Sequence, residues 1–287
     1  MPLAPVRRER HCPATMLETI GFGAIAALVL LLLDLGLRRL TRHPDTGTAA
    51  QRLLLAARVA AVFLLASTLA SACRTGASLP DDILWAAVFG IGGLAAFELA
   101  LDLSLRPFRG VRAAARAGNL TAATAVAAHT VAIGILVANV FGGRSMADLG
   151  LAAASFAIGQ VSLVLLLALF RALTSYDDRQ QVLDGNLAAA LAHGGLAIAL
   201  ALVIAHATDG DYQGPWPAVR DYGIALGEGL LVYPLRQFLV QCVILRARPS
   251  LFGGALDIAI GQQRDVGAGA LEGGTYLAVA LFVTRLA

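Results

Sequence analysis

The 287-residue chain contains no lysine; all 22 of its basic residues are arginine. Charge of either sign is scarce, at 14% of positions, where a soluble domain carries about 25%. With 58% hydrophobic residues and a mean hydropathy of +0.73, that deficit points to a polytopic membrane protein. The formal excess of +3 is no nucleic-acid footprint, because the arginines fall in separate short loops. Three cysteines, Cys12, Cys73 and Cys242, lie too far apart for a C-x-x-C pair, which argues against a metal cluster or a disulfide framework. Two tryptophans leave a thin aromatic belt. No H-E-x-x-H, P-loop or G-x-S-x-G pattern occurs. The Gly-rich run at 90–93 follows no strand and reads as helix packing. The chain is therefore expected not to be an enzyme, with no catalytic residue, cofactor or metal site; His193, Glu228 and Glu272 make a weak ligand set.

What is abundant is long apolar runs. A span needs about 20 apolar residues, and such runs cover roughly 17–37, 53–72, 83–104, 120–141, 147–172, 187–207, 219–245 and 266–284. The expected fold is an all-α, polytopic membrane bundle of about eight transmembrane helices. The seventh span contains Tyr233-Pro234 and is expected to kink there. Loops after odd spans carry thirteen arginines, among them Arg52, Arg112, Arg171 and Arg246; loops after even spans carry Arg74, Arg144 and Arg220, with Arg285 at the end. Positive-inside logic places the first set in the cytoplasm and both termini outside. Arg7, Arg8 and Arg10 oppose this. Residues 1–15 read as a disordered tail or a misassigned start, with Met16 as initiator, and the second reading removes the conflict. The arginine-rich loops are expected to meet anionic lipid head groups or a protein partner.

The chain repeats itself. Leu33-Asp34-Leu35-Gly36-Leu37-Arg38 returns 68 residues later as Leu101-Asp102-Leu103-Ser104-Leu105-Arg106; Gly118-Asn119 returns as Gly185-Asn186 and Gly159-Gln160 as Gly227-Glu228. The unit is one helical hairpin written four times. Aligning the even helices on Asn119 and Asn186 puts Gln51 and Asp265 at the same point. The seventh position onward is then Arg58, Val126, His193 and Glu272, on one helical stripe.

GNLAAALAHGGLAIALAL, its partner ALEGGTYLAVAL and the paired-hairpin layout resemble the bacterial inner-membrane family of domain of unknown function 350, the YjfL-like proteins. The resemblance is clearest over 147–287. A typical unit of that family has four transmembrane helices, so it implies two units here, 16–145 and 146–287, in the inner membrane. It brings no established reaction and no catalytic residue.

Gly194-Gly195 and Gly273-Gly274 are expected to pack helices closely, burying His193 and Glu272 in protein. Ionisable groups inside a span are functional candidates by default. The candidate intramembrane polar site is Glu272, His193, Arg58, Glu228, Arg236 and Gln160. If the four hairpins close into a ring, Arg58 meets Glu272 near its axis; Glu228 and Arg236, two turns apart, are a further pair. Asp34–Arg38 and Asp102–Arg106 read as i,i+4 pairs at the cytoplasmic boundary. Asn119 and Asn186 read as helix N-caps, and Gln160 as an interhelical hydrogen bond. Glu98, His129 and Asn139 stand behind these, and His206 beside Asp209 and Asp211 is expected to meet water. Two functions compete: a structural or partner-binding membrane subunit, supported by the compact, loop-poor design, and a small transporter or proton-coupled channel using midplane ionisable groups. Against the second, consecutive hairpins repeat in parallel and give no inverted repeat.

Overall fold

The computed structural model describes residues 16–40, 47–76, 78–106, 108, 110–208, 214–248, 250 and 252–286, the side chains of 37–40 excepted. Residues 1–15 and Arg42, Arg109, Asp209 and Asp211 lie outside the described residues, as does the Arg38 side chain. In chain order the helices are α1 (Met16–Leu40), α2 (Ala49–Ala72), α3 (Leu79–Ser104), α4 (Val111–Arg116), α5 (Leu120–Val140), α6 (Met146–Arg171), α7 (Asp178–Leu183), α8 (Leu187–Ala207), α9 (Pro215–Leu230), α10 (Val232–Gln237) with a π-helical turn Phe238–Ile244, α11 (Ala255–Asp257) with a π-helical turn Ile258–Gln262, and α12 (Val266–Leu286). Of these, α1, α2, α3, α5, α6, α8 and α12 are long and apolar enough to cross a membrane. The protein is a multi-pass membrane helical bundle.

The expected seventh span, 219–245, is not one continuous helix: it is broken into α9, α10 and the π-helical turn, none of which is among the helices long and apolar enough to cross. Pro234 has no N–H to give the Leu230 carbonyl, so the helix is interrupted at Leu231. It resumes with Leu235 N–H donating to the Leu231 carbonyl.

The helices form two layers. The inner layer is a row, α2–α5–α8–α12, each packed on the next, with α3 laid over α2 and α5, α6 over α5 and α8, and α9 over α8. The row is open: among the described residues α2 and α12 do not pack on one another, so the ring does not form. Small residues set the row's spacing. A Cβ on Gly195 would overlap the backbone of Gly273, one on Gly273 would come within 2.6 Å of the Leu191 carbonyl oxygen, and one on Gly269 would overlap the backbone of Ala188. Gly194 looks the other way, where a Cβ would stand 2.7 Å from that of Ala128 on α5. Such close approach is what holds helices together in lipid, where hydrophobic burial gives no preference for protein over acyl chain.

Each inner helix starts at a side-chain cap. Thr48 accepts from Gln51 N–H at 3.3 Å, Asn119 from Ala122 N–H at 2.9 Å and Asn186 from Ala189 N–H at 3.3 Å. Asp265 accepts from Gly267 and Ala268 N–H at 2.8 and 3.2 Å. The Asn186 amide also donates to the Ile260 carbonyl at 2.7 Å, tying α8 to the turn before α12. Gln51 is thus the third residue of α2 and not its cap. Counted from the caps, Arg58 stands ten residues in, level with His129, whereas Val126, His193 and Glu272 stand seven in. The first repeat slips by three residues against the constant offset.

Replacing Gly195 by alanine is expected to overpack the α8–α12 seam, at a cost of about 1–3 kcal/mol. It lowers the thermal unfolding temperature of the detergent-solubilised protein. Gly21→Ala, where a Cβ meets nothing within 4 Å, is the control and leaves it unchanged.

Candidate functional site

Arg236 has 2% of its surface exposed and is among the largest fully buried side chains. It sits on α10 because the break at Leu231 lets the outer helix turn towards α12. One guanidinium nitrogen is ion-paired to Glu272, itself 2% exposed, and another donates to the Gln237 side-chain oxygen. The guanidinium lies over the ring of Tyr276 at 4.6 Å, with Tyr233 at 5.8 Å, so aromatic faces supply the rest of its solvation. Gln237 in turn donates to the Ser250 carbonyl.

One hairpin earlier the same arrangement recurs with different letters. Arg171, the last residue of α6, reaches His193 on α8. Its Nη2 donates to Nδ1 of the imidazole at 3.2 Å; an arginine has no lone pair to offer, so Nδ1 is the unprotonated nitrogen. The guanidinium lies 3.5 Å over the ring of Phe108, and its Nε stands 3.6 Å from an oxygen of Asp178. His193 is stacked between Phe108 (4.8 Å) and His129 (5.7 Å). His129, on α5, is 2% exposed, and neither ring nitrogen has a hydrogen-bond partner. Asp178, in α7 outside the spans, has its carboxyl pushed up to about 6 by burial. Arg171 pulls against this, and Asp177 and Asp257 add to it.

At the other end of the row Arg58 reaches outwards from α2. It is ion-paired to Asp34 of α1 and Glu98 of α3, with the ring of Phe97 at 5.4 Å. Counting about 1.5 Å per residue, His193 and Glu272 lie about 10 Å, and Arg58 and His129 about 15 Å, from the capped ends of their helices. His193 and Glu272 are therefore a third of the way along their helices, not at the middle.

Several expected pairings change. Arg58 and Glu272 stand at opposite ends of the open row and each has a partner on a neighbouring helix. Arg236 takes Glu272; Glu228, half-buried on α9 before the break, forms no ion pair with it among the described residues. Asp102 pairs with Arg112 of α4 and not with Arg106, because the chain turns back over the end of α3. Asp34 pairs with Arg58. Gln160 donates to the Ser104 hydroxyl, joining α6 to α3. Gly194, Gly195 and Gly273 lie in helix seams, but a Cβ on Gly274 would meet nothing within 4 Å. It lines a lateral apolar groove of about 760 Å³ between α12 and α10, with Leu235, Phe238, Ala270, Ala278 and Phe282.

Arg171, Asp178 and Phe108 were not singled out from the sequence as site residues. One signal was there: Asp178 and Asp257 both stand eight residues before their caps, Asn186 and Asp265. No group of three or more His, Cys, Asp or Glu side chains fit to hold a metal ion occurs among the described residues.

Residues 145–286 match the model of a family described as Domain of Unknown Function (DUF350). No curated protein and no solved structure matches the chain.

Glu272→Leu leaves the Arg236 charge buried without its partner, a loss of about 3–5 kcal/mol. The double variant Arg236→Met/Glu272→Leu is expected to recover most of that loss; a purely additive double-mutant cycle of melting temperatures contradicts the pairing. The raised carboxyl of Asp178 binds a proton more tightly folded than unfolded. Its contribution to stability is full below the ordinary carboxylate value near 3.8 and is lost as pH rises through about 6. Wild-type melting temperature should therefore fall between about pH 4 and pH 6 relative to Asp178→Asn, and parallel profiles for the two proteins contradict it.

Proposed function

The chain belongs, through residues 145–286, to the DUF350 family, and on that footing we propose that it is a non-enzymatic subunit of a membrane assembly. The observation that carries this reading is the open end of the helix row. The α12 groove faces sideways, is lined almost entirely by apolar groups, and is wide enough at about 760 Å³ to take side chains of another helix. The buried charges support the same reading. Arg58 is held by Asp34 and Glu98, Arg236 by Glu272, and Arg171 by Asp178. They act as fixed ties: Arg58 and Arg236 join inner helices to outer ones, and Arg171 joins α6 to α7 at the capped end of the bundle.

That end carries thirteen of the loop arginines. We place it in the cytoplasm of a bacterium, at the inner membrane, with both termini outside and the arginines against anionic head groups.

One feature favours a second reading, a proton-coupled path. His129 is buried with both ring nitrogens unpartnered, 5.7 Å from His193. The test is decay of a pH gradient in proteoliposomes of the purified chain. For the assembly subunit, wild type and Glu272→Gln both decay no faster than empty liposomes. Faster decay in wild type that His129→Leu abolishes would favour the proton path instead.

A further inference from the structure

The register of the caps shows which faces of the inner helices join them. On α5 the ninth residue after the cap is Ala128, and it meets Gly194, the eighth residue after the cap of α8. On α8 the ninth is Gly195, and it meets Gly273, the eighth of α12. On α12 the ninth is Gly274, which meets nothing. The face that joins α5 to α8 and α8 to α12 is thus repeated on α12, where no described residue lies within 4 Å of a Cβ on Gly274. It has kept the form of a seam. Ala270, Gly274 and Ala278 recur every four residues along the floor of the groove, between Leu235 and Phe238 on one side and Phe282 on the other.

The opposite end of the row is different. The face that receives a preceding helix carries Gly134, Ala201 and Ala280 fifteen residues after the caps of α5, α8 and α12. At that position α2 carries Phe63, which is 52% exposed. A ring of that size prevents the backbone contact that Gly134 allows against Ala61. Head-to-tail continuation of the row through α2 is therefore blocked, while the α12 face stays open to a small-residue surface like itself.

We propose that two copies of this chain pair through α12, with the Ala270–Gly274–Ala278 stripe of one packed on the same stripe of the other across a two-fold axis along the membrane normal. The inner helices of each copy run parallel to one another, and such an axis keeps the two α12 helices parallel as well. The contact is like-on-like, ninth position on ninth, where α5–α8 and α8–α12 join the ninth position of one helix to the eighth of the next, but it uses the same close approach of small residues. A two-fold pair closes on itself with a single patch, so no filament follows. This rests on the reading of the chain as an assembly subunit and names its partner.

The experiment is subunit counting by single-molecule photobleaching of the labelled full chain in liposomes. Two subunits per particle are expected for wild type and one for Gly274→Leu, with Phe63→Ala unchanged at two. Because a Cβ at 274 meets nothing within 4 Å among the described residues, Gly274→Leu should keep the wild-type melting temperature. Should it not fold, Gly274→Cys in a chain with Cys12, Cys73 and Cys242 changed to Ser gives the second readout, since oxidation must then produce a covalent dimer. Wild type counted as single subunits overturns the pairing, as does cross-linking of Gly274→Cys, in place of itself, to Ala56→Cys at the eighth position after the α2 cap, where head-to-tail packing would bring it. If single wild-type subunits carry another membrane protein that Gly274→Leu releases, the self-pairing falls and the assembly reading stands. If Gly274→Leu keeps the same companions as a single wild-type subunit, both fall.

Discussion

The direct backbone contact between Gly195 and Gly273 is the constraint on which the rest of the bundle depends. In lipid, apolar side chains gain little by meeting one another rather than acyl chains, and association rests on close contact and on polar ties. A seam that admits no Cβ leaves no space for a long or polar side chain between α8 and α12. The polar groups of the inner helices are therefore turned to the notches where the outer helices lie. There the arginine stem, long enough to run along apolar surface, brings a guanidinium from the outer layer to the inner one. Gly194-Gly195 after His193 and Gly273 after Glu272 are thus part of one device: these glycines bring the inner helices together, and the preceding residue meets the arginine of its own hairpin's outer helix.

The same logic accounts for the change of letter from His193 to Glu272. Each arginine needs one carboxylate within reach. Arg171 already has Asp178, so the inner helix needs to offer only a hydrogen-bond acceptor, and a neutral imidazole does so. Asp257 occupies the repeat position of Asp178, but its carboxylate accepts the Ser175 backbone N–H at 2.7 Å. With that carboxylate engaged elsewhere, the counter-charge of Arg236 comes from the inner helix as Glu272. A glutamate beside Arg171 would add a second carboxylate next to Asp178, and a histidine beside Arg236 would leave a guanidinium in the interior without its anion.

Helical class, the positions of the spans and the four-fold hairpin repeat were legible in the sequence because each rests on local composition or on spacing along the chain. The break in the seventh span was legible at Pro234 for the same reason. Partners across helices were not. Asp102–Arg106 was drawn along one helix, whereas the chain reversal after Ser104 brings Arg112 to Asp102. Arg58–Glu272 followed from assuming a closed ring, which periodicity does not distinguish from an open row. The slip of three residues in α2 was hidden too, because a constant offset of 68 pointed to Gln51 while the hydroxyl that caps the helix belongs to Thr48. For Gly274 the small size was visible but the face was not: adjacent residues on a helix point about 100° apart, so Gly273 lies in a seam and its neighbour outside it.

The repeat itself gives a row of parallel inner helices, and the structure shows that the row is open. Every hairpin begins and ends on the same side of the bundle, so each one adds its inner helix parallel to the last and displaced in the same direction. Among the described residues the row does not turn back on itself. A row of this kind has two unlike ends, as a solenoid does, and solenoids need terminal units whose outer face differs from the repeated one. At the α2 end the difference is present: Phe63 stands where the repeat has glycine or alanine, and α1 packs on the helix as well. At the α12 end it is absent. The joining face is reproduced there in Gly274 and Ala278, at the positions of Gly195 and Ala199 on α8, and no described residue lies within 4 Å of a Cβ on Gly274. A terminal unit that faced only lipid would have no use for small residues at that spacing, since bulkier side chains fill the boundary with acyl chains equally well. Small residues on the joining face at this end, against Phe63 on the receiving face at the other, are what support reading the α12 face as one that packs against protein.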